Sequence, residues 1–218
     1  MKFILAIGLF ICQMFSSCSA NTTHKSIVNT GITDTQPDLK EKAAELKKAY
    51  QNLSSSPYTV KYQQEYFNAF PDAFELFNHL FGYTDKEPLG EPNNDFNSPL
   101  KNEAELFVPT FFTLNGIERT QYCNRIIDVS INARWYADGV NYFQHGMQEK
   151  VKTDLSLFLE LLSKRSEKEV KSFWYFYFDN PHPIKEIPQE LQNVKEIDSK
   201  IFSLMELALK EVQQAWKE

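Results

Sequence analysis

The chain has 218 residues, with 23 lysines and arginines against 29 aspartates and glutamates, for a formal net charge of −6. This acidic balance, without any Lys/Arg-rich block, disfavours nucleic-acid binding, which needs a basic surface to neutralise phosphates. Aromatic residues make up 14% of the chain and only 7 glycines are present, and a chain of this length can bury a full core as one domain.

Residues 1–17 have the order of an export signal. Lys2 precedes an apolar run from Phe3 to Phe15 that only Gln13 interrupts, and small residues follow. The run is shorter than the about 20 residues that a membrane-spanning helix needs. A buried N-terminal helix is the alternative, but no helix cap or amphipathic period marks one. The segment therefore predicts a cleaved signal peptide.

Two cleavage sites compete. Phe15-Ser16-Ser17-Cys18 resembles the lipobox of bacterial lipoproteins, in which the chain is cut before the cysteine and the thiol is acylated. Cys18-Ser19-Ala20 would instead serve signal peptidase I, which prefers small residues at the first and third positions before the cut. We favour lipidation of Cys18, which predicts a stable membrane anchor. By the resemblance, Ser19 in place of an aspartate points to the outer membrane, facing the periplasm.

The cysteine count agrees with this interpretation. The chain has 3 cysteines; Cys12 would leave with the signal peptide and Cys18 would be acylated. Cys123 then remains alone, so no intramolecular disulfide framework is expected. Because Cys123 lies between apolar positions in TQYCNRIIDVSI, we predict a buried structural thiol rather than a nucleophile.

Residues 18–37 are polar, rich in serine, threonine and asparagine, and free of aromatic side chains. This composition is typical of a flexible tether. Residues 38–218 are predicted to form a single helical domain. Within it, residues 83–102 contain prolines, asparagines and a glycine, and this composition predicts a long loop.

Apolar residues three and four positions apart predict an all-α domain of about seven helices. The predicted helical stretches, in chain order, are about 38–53, 59–82 (one helix or two consecutive ones, interrupted at Pro71), 103–114, 117–135 with its continuation 137–144, 150–163, 167–178 and 197–217. The stretch SFWYFYF within 167–178 could also be a strand. Ser166 and Glu169 have the spacing of a capping box, which favours the helix.

Four histidines are present, and His79 and His145 each have a glutamate four positions away that could share a helix face with them. Glu75 and His79 form one such pair, and His145 and Glu149 form the other. Two pairs on facing helices could hold a metal ion. The Glu-x-x-His spacing of carboxylate-bridged sites is not repeated, however, and Gly146 weakens the second helix. We therefore predict ordinary surface residues, no metal site and no cofactor.

No nucleophile motif, phosphate-binding glycine loop or zinc motif occurs in the sequence, so no catalytic residue is assigned. Asp128, Asp138 and Asp179 lie among aromatic residues. Paired carboxylates of this kind could hydrolyse a glycan. Ion pairs with Arg125 or Arg134, or helix capping, explain them equally simply, and we favour a binding protein over an enzyme.

The run of aromatic residues from Phe173 to Phe178 is too hydrophobic for one helix face. One side must enter the core, while the other side packs on a neighbouring helix or forms an exposed partner-binding surface. Candidate residues for such a surface are Trp174, Tyr175, Tyr177 and His182.

Two segments resemble a family of small, uncharacterised bacterial lipoproteins from toxin gene neighbourhoods. They are Tyr66–Asp72 with Phe74, Phe77 and Phe81–Tyr83, and Leu162–Ser166 continued by Ser172–Asp179 and Pro181–Pro183. The resemblance covers about residues 59–183. It implies an immunity protein that binds and neutralises a toxin in the periplasm, and it supplies no catalytic residues.

Two other functions stay open at this point. One is an envelope enzyme that acts on glycan or peptidoglycan through acidic residues. The other is an accessory lipoprotein of a secretion machine. For an immunity protein, an acidic surface would suit a basic toxin and would speed association.

Overall fold

The computed structural model describes residues 38–82, 98–136 and 139–217. All regular elements in these ranges are helices, so the predicted all-α fold class is confirmed. The predicted signal peptide and tether, most of the predicted 83–102 loop, and Asp138 lie outside the described residues. No helix within the described ranges is both long enough and apolar enough to cross a membrane.

Nine α-helices are present in the described ranges, against about seven predicted. They are α1 (Leu39–Ser55), α2 (Val60–Ala69), α3 (Phe74–Phe81), α4 (Ala104–Phe112), α5 (Arg119–Ser130), α6 (Gly139–Leu162), α7 (Glu167–Phe178), α8 (Val194–Ile197) and α9 (Ser199–Ala215). Short 3₁₀ turns occupy Lys101–Glu103 and Gln189–Leu191.

Side-chain caps fix where several helices begin. Asp38 accepts the backbone N–H of Lys40 at the start of α1, and Asp198 accepts that of Ile201 at the start of α9. The Ser166–Glu169 capping box is present at the start of α7. Each cap satisfies backbone donors that the first helical turn leaves unpaired. The stretch SFWYFYF lies within α7 and is therefore helical, as the capping box predicted.

The end of α5 differs from the prediction. Helix was expected to reach Trp135, but α5 ends at Ser130, and Asn132 has a positive φ of 60°. Asparagine tolerates this left-handed conformation better than most residues. The backbone N–H of Asn132 donates to Ser172 Oγ on α7 at 2.7 Å. A contact with a distant helix therefore turns the chain away from the helical path.

The two stretches predicted at 137–144 and 150–163 belong to a single helix, α6. Gly146 does not break it. A Cβ at this position would clash with the ring of Phe112 on α4. The glycine thus permits a close approach of α4 and α6. A kink occurs at Asp154, with φ −122° and ψ 25°, where the carboxylate accepts hydrogen bonds from the Arg119 guanidinium.

Aromatic rings fill the centre of the core. The ring of Phe111 on α4 lies 4.2 Å from that of Phe70 and 5.0 Å from that of Tyr122, measured between centroids. Two buried tyrosine hydroxyls donate to α4 carbonyls, Tyr66 to Phe107 at 2.7 Å and Tyr122 to Phe111 at 2.9 Å. Burial raises the pKa of both phenols, so they remain neutral donors.

Cys123 is fully buried on α5, as predicted. Burial raises the pKa of its thiol to about 11. The thiol therefore loses its proton at a higher pH in the folded chain than in the unfolded chain. This difference lowers the free energy of unfolding only as the pH rises from the unfolded-state pKa towards the folded-state pKa. The thiolate is the reactive form.

We expect Cys123 in the folded protein to react with iodoacetamide at pH 8 at least about a hundredfold more slowly than in the unfolded chain. The measurement uses the Cys12→Ser/Cys18→Ser variant, in which Cys123 is the single remaining thiol. The same sample in guanidinium chloride provides the unfolded rate. Equal rates in both conditions would show that the thiol is accessible.

Candidate interaction surface

The structure does not bring the two His/Glu pairs together as a group of three or more potential metal ligands. Glu75 and His79 lie on α3, whereas His145 and Glu149 lie on α6. Glu149 binds Lys152 Nζ at 2.9 Å, and this hydrogen bond lowers the pKa of the carboxyl group. Within the described ranges, no group of three or more His, Cys, Asp or Glu side chains is placed to hold a metal ion.

Asp128 forms an ion pair, although its partner differs from those expected. Its carboxylate lies 2.8 Å from Arg165 Nη2, in the turn between α6 and α7. Arg125 instead donates to the carbonyls of Phe67 and Phe70 at the end of α2. Burial lowers the pKa of this guanidinium. Both side chains therefore hold helices together.

Asp179 is buried, whereas the side chain of Asp128 is 40% exposed. Asp179 is only 3% exposed, and it follows the last residue of α7. One carboxylate oxygen accepts the backbone N–H of Trp135 at 2.8 Å, and the other accepts the indole Nε1–H of Trp216 at 2.7 Å. The two indole rings meet edge to face at 5.8 Å. Asp179 thus fixes the end of α9 against the segment after α5.

Two of the four residues predicted for a partner-binding surface are buried. Trp174 is fully buried and Tyr177 is 4% exposed, because α7 packs against both α6 and α9. Tyr175 is half-buried, with the Arg134 guanidinium 4.2 Å above its ring, and burial raises the pKa of its phenol. Only His182, beyond the end of α7, is exposed.

Residues 179–193, the α7–α8 segment, are fixed by glutamine side chains from three directions. Gln144 on α6 donates to the carbonyl of Asp179, the first residue of the segment, and Gln148 donates to that of Tyr177 in the last turn of α7. Gln213 on α9 donates to the carbonyls of Ile184 and Lys185, and Gln192 donates to that of Ile187.

Prolines stiffen the same segment. Pro181, Pro183 and Pro188 fix their own φ angles and restrict the residues before them. His182 lies between the first two, and its backbone N–H donates to Asn180 Oδ1 at 2.8 Å. Glutamine contacts and prolines together hold an irregular segment in one conformation.

Three adjoining depressions run along this part of the surface, and we call them together the interaction groove. The first, of about 780 Å³, lies between α4 and α6, where Phe112 and Tyr142 line it. The second, of about 290 Å³, shares Gln148 and Asn180 with the first. The third, of about 310 Å³, shares Ile184 with the second and ends beside Trp216.

Large apolar side chains are exposed in each part of the groove or at its margins. Tyr142 is 37% exposed, and Ile184 and Trp216 are each 40% exposed. Trp216 is nevertheless held in place, because its indole N–H is bound to the buried Asp179. Exposed but fixed aromatic rings are suited to binding, since little side-chain entropy remains to be lost.

Of the residues predicted to bind a partner, His182 lines the groove and Tyr177 forms part of its floor. Trp216 was not predicted, because nothing local marks a tryptophan at the end of a helix as exposed and fixed.

Comparisons with models of known protein families, with curated proteins and with solved structures found no significant match to this chain.

Proposed function

We propose that this protein is an exported lipoprotein, anchored in a membrane of the cell envelope, which binds and neutralises a cognate toxin there. The order of residues 1–17 and the lipobox-like sequence before Cys18 support export and anchoring. The resemblance of residues 59–183 to toxin-associated lipoproteins supports the immunity role.

The interaction groove is the observation that carries the binding role. It combines a stiff frame with exposed aromatic and aliphatic side chains, among them Tyr142, Ile184 and Trp216. Rigid aromatic residues are enriched among those that dominate protein-protein binding energies. The carboxylates of Asp128 and Asp179 are occupied by contacts within the fold, and this favours binding over glycan hydrolysis.

Replacing Cys18 with alanine tests the anchor. We expect the wild-type chain to fractionate with membranes and the Cys18→Ala variant to become soluble, because the variant has no thiol at the predicted acylation site. Mass spectrometry of the wild-type N-terminus should find a diacylglyceryl cysteine. A Cys12→Ser variant is the matched control and should remain in the membrane fraction. A wild-type N-terminus at Asn21 would instead establish cleavage after Ala20.

Deletion of the gene tests the immunity role. In a strain that carries an active toxin gene beside this one, deletion should reduce viability, and a plasmid copy of the full chain should restore it. The toxin should co-purify with the chain. Normal growth of the deletion strain, while the toxin is active in the periplasm, would contradict the proposal. Co-purification with components of a secretion machine, and not with a toxin, would favour an accessory role.

A further inference from the structure

We infer that the interaction groove binds an extended, acidic peptide segment of the partner protein, whose apolar side chains enter successive depressions. This inference rests on the proposed function in taking the partner to be a protein. Beyond that function, it specifies where on this chain the partner binds, and that the bound segment is extended and acidic.

The dimensions of the groove suit an extended chain. Its first depression follows α6 from Asn141 to Thr153, a distance of about 18 Å at 1.5 Å per residue. An extended chain rises about 3.3 Å per residue, so five or six residues would fill this part alone. The second and third depressions continue from it through Asn180 and Ile184. Separate depressions in a row suit side chains that point the same way along an extended peptide.

Apolar surface is available at both ends of the groove. Tyr142 and the half-buried Phe112 face the first depression, and Ile184 and Trp216 face the third. Asn141 and His145, both exposed in the first depression, offer polar atoms to a peptide backbone. Apolar anchors combined with polar contacts to the main chain are the usual basis of peptide recognition.

The charge of the groove is opposite to that of the chain as a whole. Its lining contains two acidic residues, Glu149 and Glu190, and four basic ones, which are Lys150, Lys152, Lys185 and Lys217. The chain as a whole has a net charge of −6. A basic strip on an acidic protein attracts an acidic segment and repels a basic one.

Two of these lysines remain available to a partner. Lys152 is paired with Glu149, and Lys150 lies 3.6 Å from Asp154. Lys185 and Lys217 are exposed, and neither takes part in an ion pair within the described part of the chain. They flank Trp216 in the third depression, so charge and apolar surface act there together.

Selection from a random dodecapeptide phage library, with the full-length purified chain as bait, tests the inference. We expect the selected peptides to be enriched in aspartate, glutamate and large apolar residues. A synthetic copy of a selected peptide should bind about tenfold more weakly to the Lys185→Glu/Lys217→Glu variant. Its affinity for the wild type should also fall when NaCl is raised from about 50 to about 500 mM.

The matched control is the Lys48→Glu/Lys61→Glu variant, which changes two lysines in a separate groove between α1 and α2. It should bind the selected peptide as the wild type does. Selection of neutral or basic peptides, equal losses in both variants, or binding of purified muropeptides in place of peptides would each overturn the inference.

The toxin assay separates this inference from the proposed function. If the groove variant protects cells and binds the toxin as well as the wild type does, the groove is not the docking site, while the immunity role stands. If acidic peptides bind the groove and deletion of the gene has no effect beside an active toxin, the immunity role fails and the groove remains a peptide-binding site.

Discussion

Replacing Phe111 with alanine is expected to lower the free energy of unfolding by about 4 kcal/mol. The side chain is fully buried, and its ring contacts those of Phe67, Phe70, Tyr122 and Phe143. These rings come from α2, α5 and α6, so the cavity left by the substitution would lie where four helices meet. Surrounding helices that are already in contact cannot collapse far enough to refill it.

Urea denaturation followed by far-UV circular dichroism measures this effect. Leu106→Ala is the matched control, because Leu106 lies on the same helix and is 45% exposed. We expect it to change the unfolding free energy by less than about 1 kcal/mol. Phe111→Leu should fall between the two, since it leaves a smaller cavity. Similar values for Phe111→Ala and Leu106→Ala would show that α4 does not form the centre of the core.

Replacing Asp179 with asparagine is expected to cost about 2 to 3 kcal/mol of stability. The carboxylate accepts hydrogen bonds from Trp135 N–H and Trp216 Nε1–H. An asparagine has only one acceptor atom, so its amide group would face one of these donors. Loss of a hydrogen bond at this position should loosen the end of α9 and free the Trp216 ring. Peptide binding in the third depression of the groove would then be weaker.

Two measurements separate these effects. Thermal or chemical unfolding gives the stability change, while hydrogen exchange of the Trp216 indole N–H, followed by NMR, reports on the local contact. Asp128→Asn is the control, because it removes a partly exposed ion pair with Arg165, for which about 0 to 1 kcal/mol is expected. Unchanged exchange at Trp216 in the Asp179→Asn variant would mean that the hydrogen bond does not hold the ring.

Local signals in the sequence predicted the helical fold well. The spacing of apolar residues predicted the helices, and the capping box of Ser166 and Glu169 marked where α7 begins. These features act within a few residues, so they can be identified without knowing the tertiary structure. The end of α5 was missed because it depends on the contact between Asn132 and Ser172, which are distant in sequence.

The candidate surface was harder to predict for the same reason. Trp174 and Trp216 both follow apolar helical residues, yet the structure buries the first and exposes 40% of the second. What separates them is their position: Trp174 lies between packed helices, whereas Trp216 lies at the end of α9 beside Asp179. Aromatic neighbours mark Asp179 in the sequence, but its hydrogen-bond partners Trp135 and Trp216 are each more than about 35 residues away and leave no local signal.

The glutamine contacts that hold the α7–α8 segment have a consequence for how binding responds to solution conditions. A carboxamide does not ionise, so the hydrogen bonds from Gln144, Gln192 and Gln213 to this segment do not depend on pH. Contacts between neutral groups also depend little on ionic strength. The main chain of the segment should therefore keep its conformation while the charges along the groove are titrated or screened, and a change in affinity would report on the ionisable groups of the groove and of the bound peptide.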